Sequence, residues 1–358
     1  MIPSDALGHW RDAVGELLFL GLDEVEPNPD LARFLDDLRP GGVILFARNI
    51  ESAPQVRRLL AAARRTPAGD RLATLDQEGG RVNRLLPIVG PLLPAFTVGR
   101  RGAPQVEEYG RRVGEVLARL GFNMNFAPVL DLSEPGAANG IGDRAFGTDP
   151  ELVSRLGRAY LEGLASAGVA GVTKHFPGLG PTAVDSHLEL PRLRCEEPAF
   201  RSRDLRPFHD TIDLAPAVMV AHVHCPFLDR EPIPASGSRR AIEGMLRQEL
   251  TFGGVAIADD LEMGALDQGA GWLAAGERAI QAGCDMVLIC KSRSRMIAFR
   301  DHLVASLLSG SLPESRLREA VGRVRALRAR LPELDEAPGG PEDAIEELRR
   351  RFGAGAGA

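Results

Sequence analysis

The sequence predicts an α/β chain folded as a single-domain TIM-type (β/α)8 barrel. Three observations carry this expectation. Short apolar runs alternate with longer amphipathic stretches along most of the chain. The runs are near-continuous in hydrophobic residues, as parallel strands buried on both faces require. Charged residues gather directly after five of the runs, where a barrel of this type keeps its working loops. Repeated strand–helix alternation favours a closed barrel over an open doubly wound sheet. No dinucleotide fingerprint follows the first run. The chain has 358 residues, more than the ~250 that such a barrel usually needs, so insertions are expected.

The candidate strands are, in order, LLFLGL from Leu17, GGVILFA from Gly41, RLATL from Arg71, FNMNFAPVL from Phe122, VAGVT from Val169, AVMVA from Ala217, GVAIA from Gly254 and DMVLIC from Asp285. Helical periodicity is clearest over Ala103–Leu120, Pro150–Ala167, Arg239–Leu250 and Pro313–Arg330. The barrel is expected to occupy residues 1–334. Pro and Gly clusters then mark residues 335–358 as a linker, a short helix from about Pro341 and a flexible C-terminal tail.

Hydrophobic residues make up 44% of the chain, enough for a sizeable core, and the formal net charge is −6 with dispersed basic residues. Nothing here draws a polyanion or an anionic membrane, so neither nucleic acid nor membrane is expected as a partner. The stretch Leu17–Leu22 is far shorter than the ~20 residues of a membrane span. It follows Asp12 and Glu16 rather than a basic leader, so no signal peptide is expected. Cys195, Cys225, Cys284 and Cys290 lack CxxC spacing. They are expected to be reduced, mostly buried thiols in a reducing compartment, which places the chain in the cytoplasm.

The chemistry collects after the strands. Asp76-Gln77-Glu78-Gly79-Gly80-Arg81 and Arg84 follow the third. Asp131 and the segment Gly142–Gly147, with Arg144, follow the fourth. Lys174-His175-Phe176-Pro177-Gly178 and Asp185-Ser186-His187 follow the fifth. His222 and His224 follow the sixth, and Asp259, Asp260 and Glu262 the seventh. A carboxylate such as Asp259, ending an apolar run, is costly to bury unpaired. It could serve as a nucleophile, a metal ligand or a general base. An aspartate next to an imidazole fixes its tautomer, so Asp185 and His187 suit proton transfer, or else form a surface turn. Lys174 could form a Schiff base, donate to hydroxyls or pair with Asp76. His222 and His224 read best as structural histidines. A zinc site from His175, His187, His222 and Asp259 lacks helical ligand spacing, and no G-x-S-x-G marks a nucleophilic serine.

Together these segments resemble glycoside hydrolase family 3, and within it the single-domain bacterial β-N-acetylglucosaminidases of cell-wall recycling. The resemblance lies in GGVILFARN, LDQEGGRVNRL, NFAPVLDL, IGDRAFGTDP, KHFPGLGPTAVDSHLELP, PAVMVAHV, PASGS, GGVAIADDLEMGAL and AGCDMVLIC, in the family's order. It implies Asp259 as nucleophile and His187 as general acid/base held by Asp185. It implies that Asp76, Arg84, Arg144, Lys174 and His175 bind the sugar in the −1 subsite, with Met219 and His222 lining it. It implies a small carbohydrate partner: a GlcNAc-terminated muropeptide or chitooligosaccharide. The absence of helical ligand spacing predicts no metal, and no cofactor and a monomeric chain are expected. The segment KHFPGLGP departs from the family's KHFPGHG followed by an aspartate, which removes a polar contact beside the acid/base loop. Aromatic residues are 5% of the chain, and Trp10, Trp272, Tyr109 and Tyr160 fall in expected helices. That scarcity fits an exo-acting pocket that grips one terminal sugar. Rival readings are a β-glucosidase or a β-N-acetylglucosaminide phosphorylase of the same family, a Schiff-base aldolase and a non-catalytic sugar-binding barrel.

Overall fold

The computed structural model describes residues 4–66, 70–137, 140–180, 190–266, 271–332 and 340–355. Eight barrel strands occur where the apolar runs place them: β1 Leu18–Gly21, β2 Gly42–Ile44, β3 Leu72–Thr74, β4 Met124–Asn125, β5 Ala170–Phe176, β6 Ala217–Val220, β7 Val255–Asp260 and β8 Met286–Ile289. Neighbours pair in parallel in the order β3-β2-β1-β8-β7-β6-β5-β4. Around them stand α1 Ser4–Gly15, α2 Pro29–Leu38, α3 Ala53–Arg64, α4 Ala103–Leu120, α5 Pro150–Ser166, α6 Arg206–Thr211, the π-helix α7 Arg240–Glu249, α8 Gly271–Ala282, α9 Arg293–Ser309 and α10 Glu314–Arg330.

The run from Phe122 narrows to the two residues of β4. Pro128 has no amide hydrogen for the ladder, and beyond β4 the chain stays beside β5 through Val172 N to Ala127 O at 3.0 Å and the bridge between Val129 and Lys174. The ring therefore closes against β3 largely through side chains. Asn123 Oδ1 accepts the Ala73 N–H at 2.8 Å. Asn125 accepts the Gln77 N–H and donates to the Gln77 carbonyl, both at 3.0 Å. Backbone bonds from Asn123 N to Ala73 O (3.2 Å) and from Phe126 N to Leu75 O (3.0 Å) complete the seam.

Strand periodicity sorts the side chains into two sets. Phe19, Ile44, Leu72, Met124, Phe126, Ala170, Val172, Ala217, Met219, Val255, Ile257, Met286 and Leu288 form the barrel interior. Their chain neighbours Leu18, Val43, Val218, Ala256 and Val287 join the outer core beneath the helices. Counting by two from the interior positions reaches Asp76, past Thr74, beyond the third strand, Lys174 on the fifth and Asp259 on the seventh. Period and direction alone thus aim these three groups into the mouth of the barrel.

The opposite end is sealed by α10, whose Val324 and Leu327 join the interior cluster. Beside them Asp285 is wholly buried and pairs with Arg247 at 2.6 Å, Arg316 at 2.6 Å and Arg323 at 3.1 Å. It also accepts the Ala256 N–H at 3.0 Å. One carboxylate thus ties the helices after β6 and β8 to the floor.

The last helix, α11 Glu342–Phe352, packs on α4. Its ion pairs to α4, such as Arg351 with Glu108, are partly solvated and worth at most ~1 kcal/mol each. Its anchor is Phe352, wholly buried, a side chain whose burial is worth roughly 1.5–3 kcal/mol. Beyond the helix, Ala354 N donates to Pro91 O at 2.8 Å, so the chain remains tied down through the described residues.

Asp285→Asn removes the negative charge that three arginines share. Breaking a buried ion pair by removing one partner costs about 3–5 kcal/mol, so the denaturation midpoint should fall substantially. An unchanged midpoint in urea would show that the arginines satisfy themselves elsewhere.

Candidate active site

The loops at the C-terminal ends of the strands enclose a cavity of about 570 Å³. Asp76, Arg84, Arg144, Lys174, His175, Met219 and Asp259 all line it. The structure therefore gathers seven of the residues singled out in the sequence. Asp185 and His187 lie outside the described residues. The two described ends of their segment are fixed. Leu179 N donates to Asp131 Oδ1 at 2.9 Å. His224 N donates to Pro191 O at 2.8 Å, and Leu193 N to His224 O at 3.0 Å.

One wall of the cavity is an ion-pair lattice. Lys174 is buried, and its Nζ donates to Asp76 Oδ1 at 2.7 Å and lies 2.6 Å from Glu78 Oε1. Arg144 grips Glu78 with both sides of its fork, at 2.7 and 2.9 Å. Arg84 Nη2 stands 3.6 Å from Asp76. Burial alone favours protonated carboxyls here. For Glu78, Arg144 and Lys174 overturn that preference and hold the group well below the ordinary carboxylate range. For Asp76, Lys174 and then Arg84 also outweigh burial and lower the pKa. Lys174 is thereby a counter-ion and donor to two carboxylates rather than an amine free to form a Schiff base.

Glu78 is not among the residues the sequence predicts for the site, because beyond the third strand the barrel period no longer says which way a side chain points. It sits on a short hairpin, Gln77–Gly79 paired with Val82–Asn83. Gly79 is required there. Its φ is +97°, and a Cβ would stand 2.4 Å from the Tyr109 hydroxyl.

A second group is the His175–Asp131 pair. Asp131 Oδ2 lies 2.6 Å from His175 Nδ1 and accepts the His175 N–H at 3.2 Å. This carboxylate fixes the imidazole's orientation and leaves Nε2 as the ring's second polar atom. The sequence places Asp131 at its strand end, but it does not say which loop carboxylate reaches the histidine.

Asp259 differs from both groups. Its Oδ1 accepts the Asp260 N–H at 2.8 Å, and among the described residues no cation pairs with it. Its neighbour Asp260 is pushed up to about 6, chiefly by burial, with the Glu262 N–H opposing and the Asp259 charge adding. Asp260 therefore spends part of its time uncharged near neutral pH, which relieves repulsion beside Asp259.

His222 does not line the cavity in the way the family resemblance implies, but sits as a structural histidine, as its spacing suggests. It is buried behind the strand ends, with Nδ1 2.8 Å from Ser236 Oγ and Nε2 3.2 Å from Asp260 O. The reason is parity: Met219 faces inward, so a residue three further on faces outward. Burial lowers its pKa, as suits a structural imidazole. His224 Nε2 donates to the Asp229 carbonyl at 2.9 Å, as suits a structural histidine. No group of three His, Cys, Asp or Glu among the described residues is arranged to hold a metal ion. All four cysteines are free.

Leu179, at the position where the family pattern has histidine, is buried and lines the cavity. Beneath it, Asp204 packs against Gly178 and Gly180, has one oxygen without a hydrogen-bond partner among the described residues, and is raised to about 6 chiefly by burial.

Glu78→Gln should lower stability by about 3–5 kcal/mol near neutral pH, since it strands Lys174 and Arg144. The folded pKa of Glu78 lies below its unfolded value of about 4.3. Its contribution is therefore full above that pH and is lost as pH falls through the folded value. The gap in unfolding free energy between the two proteins should stay constant from about pH 7 to 5 and narrow below about 4.3. A gap that widens on acidification would refute the assignment.

Comparison with known proteins agrees with this geometry. Residues 11–327 match the model of the glycosyl hydrolase family 3 N terminal domain. A beta-hexosaminidase of Alkalilimnicola ehrlichii is 39% identical over 300 residues, which covers 80% of this chain and 84% of that protein. A beta-hexosaminidase of Pseudomonas aeruginosa is 40% identical over 256 residues, covering 71% and 76%. A glycoside hydrolase family 3 beta-N-acetylglucosaminidase from Paenibacillus sp. str. FPU-7 superposes with a TM-score of 0.85 at 33% identity, over 95% of this chain and 68% of that one. CbsA from Thermotoga neapolitana superposes at 0.81 with 28% identity, over 94% and 71%. A family model that spans most of the chain, on a barrel whose charged cavity stands at the strands' C-terminal ends, identifies the chain as a glycosidase belonging to glycosyl hydrolase family 3.

Proposed function

We propose that the chain is an exo-acting, retaining β-N-acetylglucosaminidase. Its substrates are peptidoglycan fragments of the GlcNAc-anhydroMurNAc type, from which it removes the terminal GlcNAc in the cytoplasm. One observation carries the reading. Asp259, free of ion pairing among the described residues, faces a cavity whose other wall is a fully paired lattice of Asp76, Lys174, Glu78 and Arg144. The names of the similar proteins support the choice of an acetylated amino sugar. The cavity size falls among small-molecule sites, roughly 300–1,000 Å³, which suits a terminal sugar rather than a polymer.

The lattice and His175 present fixed donors and acceptors to the sugar hydroxyls. In the first step an Asp259 oxygen attacks the anomeric carbon from below. The bond to the leaving oxygen breaks, and that oxygen takes a proton from His187, whose imidazolium Asp185 stabilises. In the second step water attacks the same carbon and gives its proton to the now neutral His187. The glycosyl ester breaks and Asp259 returns as a carboxylate. Two inversions restore the β configuration.

A 5-fluoro glycosyl fluoride of N-acetylglucosamine should leave a mass adduct on the peptide containing Asp259, and NMR should show the β-anomer as first product. First formation of the α-anomer would overturn the mechanism. Added phosphate should leave the product a free sugar; a sugar phosphate would mark a phosphorylase instead.

His187→Ala should slow glycosylation far more for a disaccharide than for an activated aryl glycoside, because only the alkoxide needs a proton to leave. General acid–base catalysis is worth ~10²–10⁴-fold, so the difference is measurable. The aryl substrate should show a burst, and azide should restore turnover as a β-glycosyl azide. Equal slowing of both substrates, without burst or azide effect, would assign the acid/base to another residue.

A further inference from the structure

Helix α11 lies beyond the segment that matches the family model, which ends at residue 327. It nevertheless reaches the active site through one intervening residue. The Phe352 ring lies 4.9 Å from that of Tyr109, and Tyr109 packs in turn on Tyr160 at 6.0 Å. These are the chain's two tyrosines. The Tyr109 hydroxyl donates to the Glu78 carbonyl at 3.4 Å, and the Tyr160 hydroxyl to the Gln77 carbonyl at 3.3 Å. Burial raises both phenols, so they remain donors throughout the working pH range. Both of them thus end on the backbone of the hairpin that carries Glu78.

A second route runs through the main chain. Leu93 N donates to Phe352 O at 2.9 Å, Leu92 pairs with Gly353, and Gly80 N donates to Leu92 O at 3.2 Å. Both routes converge on the Gln77–Gly80 turn. The absence of a side chain at Gly79 lets the Tyr109 hydroxyl approach the turn backbone directly. From that turn the Glu78 carboxylate extends to Lys174 and Arg144.

We propose that Phe352 and Tyr109 are positioning residues for sugar binding: α11 clamps the hairpin from below and so sets where Glu78, and through Lys174 also Asp76, meet the terminal sugar. This rests on the reading that the Asp76–Glu78 lattice binds that sugar. The clamp acts on ground-state affinity at the lattice, because the elements it touches carry binding groups and not Asp259.

The test uses the full-length chain with Phe352→Ala, Phe352→Leu and Tyr109→Phe, and Asp76→Ala as a control on the underlying reading. The inhibition constant of free N-acetylglucosamine and kcat/KM for an aryl β-N-acetylglucosaminide are measured well below each Tm. Rates are normalised to the fraction that forms the fluorosugar adduct. Small displacements of positioning groups can cost up to ~10²-fold. Phe352→Ala should raise the inhibition constant and lower kcat/KM by about tenfold within that range. Phe352→Leu should recover much of both, and Tyr109→Phe should give a smaller shift of the same kind. If Phe352→Ala does not fold, the other two variants decide. A purely structural clamp would lower Tm and leave the inhibition constant unchanged. That result, with Asp76→Ala still raising the constant, overturns the proposal. An unchanged constant in Asp76→Ala overturns the sugar-binding reading and the proposal with it.

Discussion

The site hangs on the ammonium of Lys174. It sits at the end of β5, buried, between Asp76 and Glu78 from the third strand's loop, while Glu78 passes the charge on to Arg144 from the loop after β4. Three separate elements thereby share one electrostatic centre. Without it the two carboxylates would repel each other in a poorly solvated wall, and burial would force protons onto them. With it the wall is ionised, rigid and prepaid. A sugar entering the cavity meets donors and acceptors whose directions the protein has already fixed, so little reorganisation remains for binding or reaction.

Asp259 depends on that arrangement by contrast. Among the cations of the cavity, Lys174, Arg84 and Arg144 are committed to Asp76 and Glu78, Arg48 lies near Asp23 and Arg81 near Asp143, and among the described residues none pairs with Asp259. A nucleophile locked to an arginine would lose basicity and reach. The partial protonation of Asp260, driven by burial, works in the same direction. Charge is thus divided into a wall of paired groups and, opposite it, a carboxylate without a paired cation among the described residues, as the proposed nucleophile requires.

Much of the barrel was legible because apolar runs and strand ends are written directly in the chain. The strands from Leu17 to Asp285 and the helices over Ala103–Leu120 and Glu314–Arg330 follow from hydrophobic period. Asp76, Lys174 and Asp259 follow from parity with the interior residues. Parity also explains the reading that departed: His222 has the outward phase, and only counting from Met219 reveals it. Glu78 and Asp131 were harder, since they stand in loops where period no longer applies. Which loop carboxylate turns inward is decided by partners far away in sequence, Arg144 and His175. The same holds for Phe352, whose place under Tyr109 cannot be inferred from a segment that reads as linker, short helix and tail. Asp185 and His187 rest on the family pattern, as they lie outside the described residues.

The closing seam between β3 and β4 has a consequence for how the chain tolerates change. At the other seams any side chain of suitable bulk permits the backbone ladder, because peptide groups do the bonding. At this one, Asn123 and Asn125 bond to the backbone of the neighbouring segment, and Asn125 answers both polar groups of Gln77. The circumference of the barrel is therefore spelled out in two amide side chains. Substitution there, unlike elsewhere around the ring, removes bonds that the main chain has no means of replacing, and it does so directly beneath the hairpin that carries Glu78.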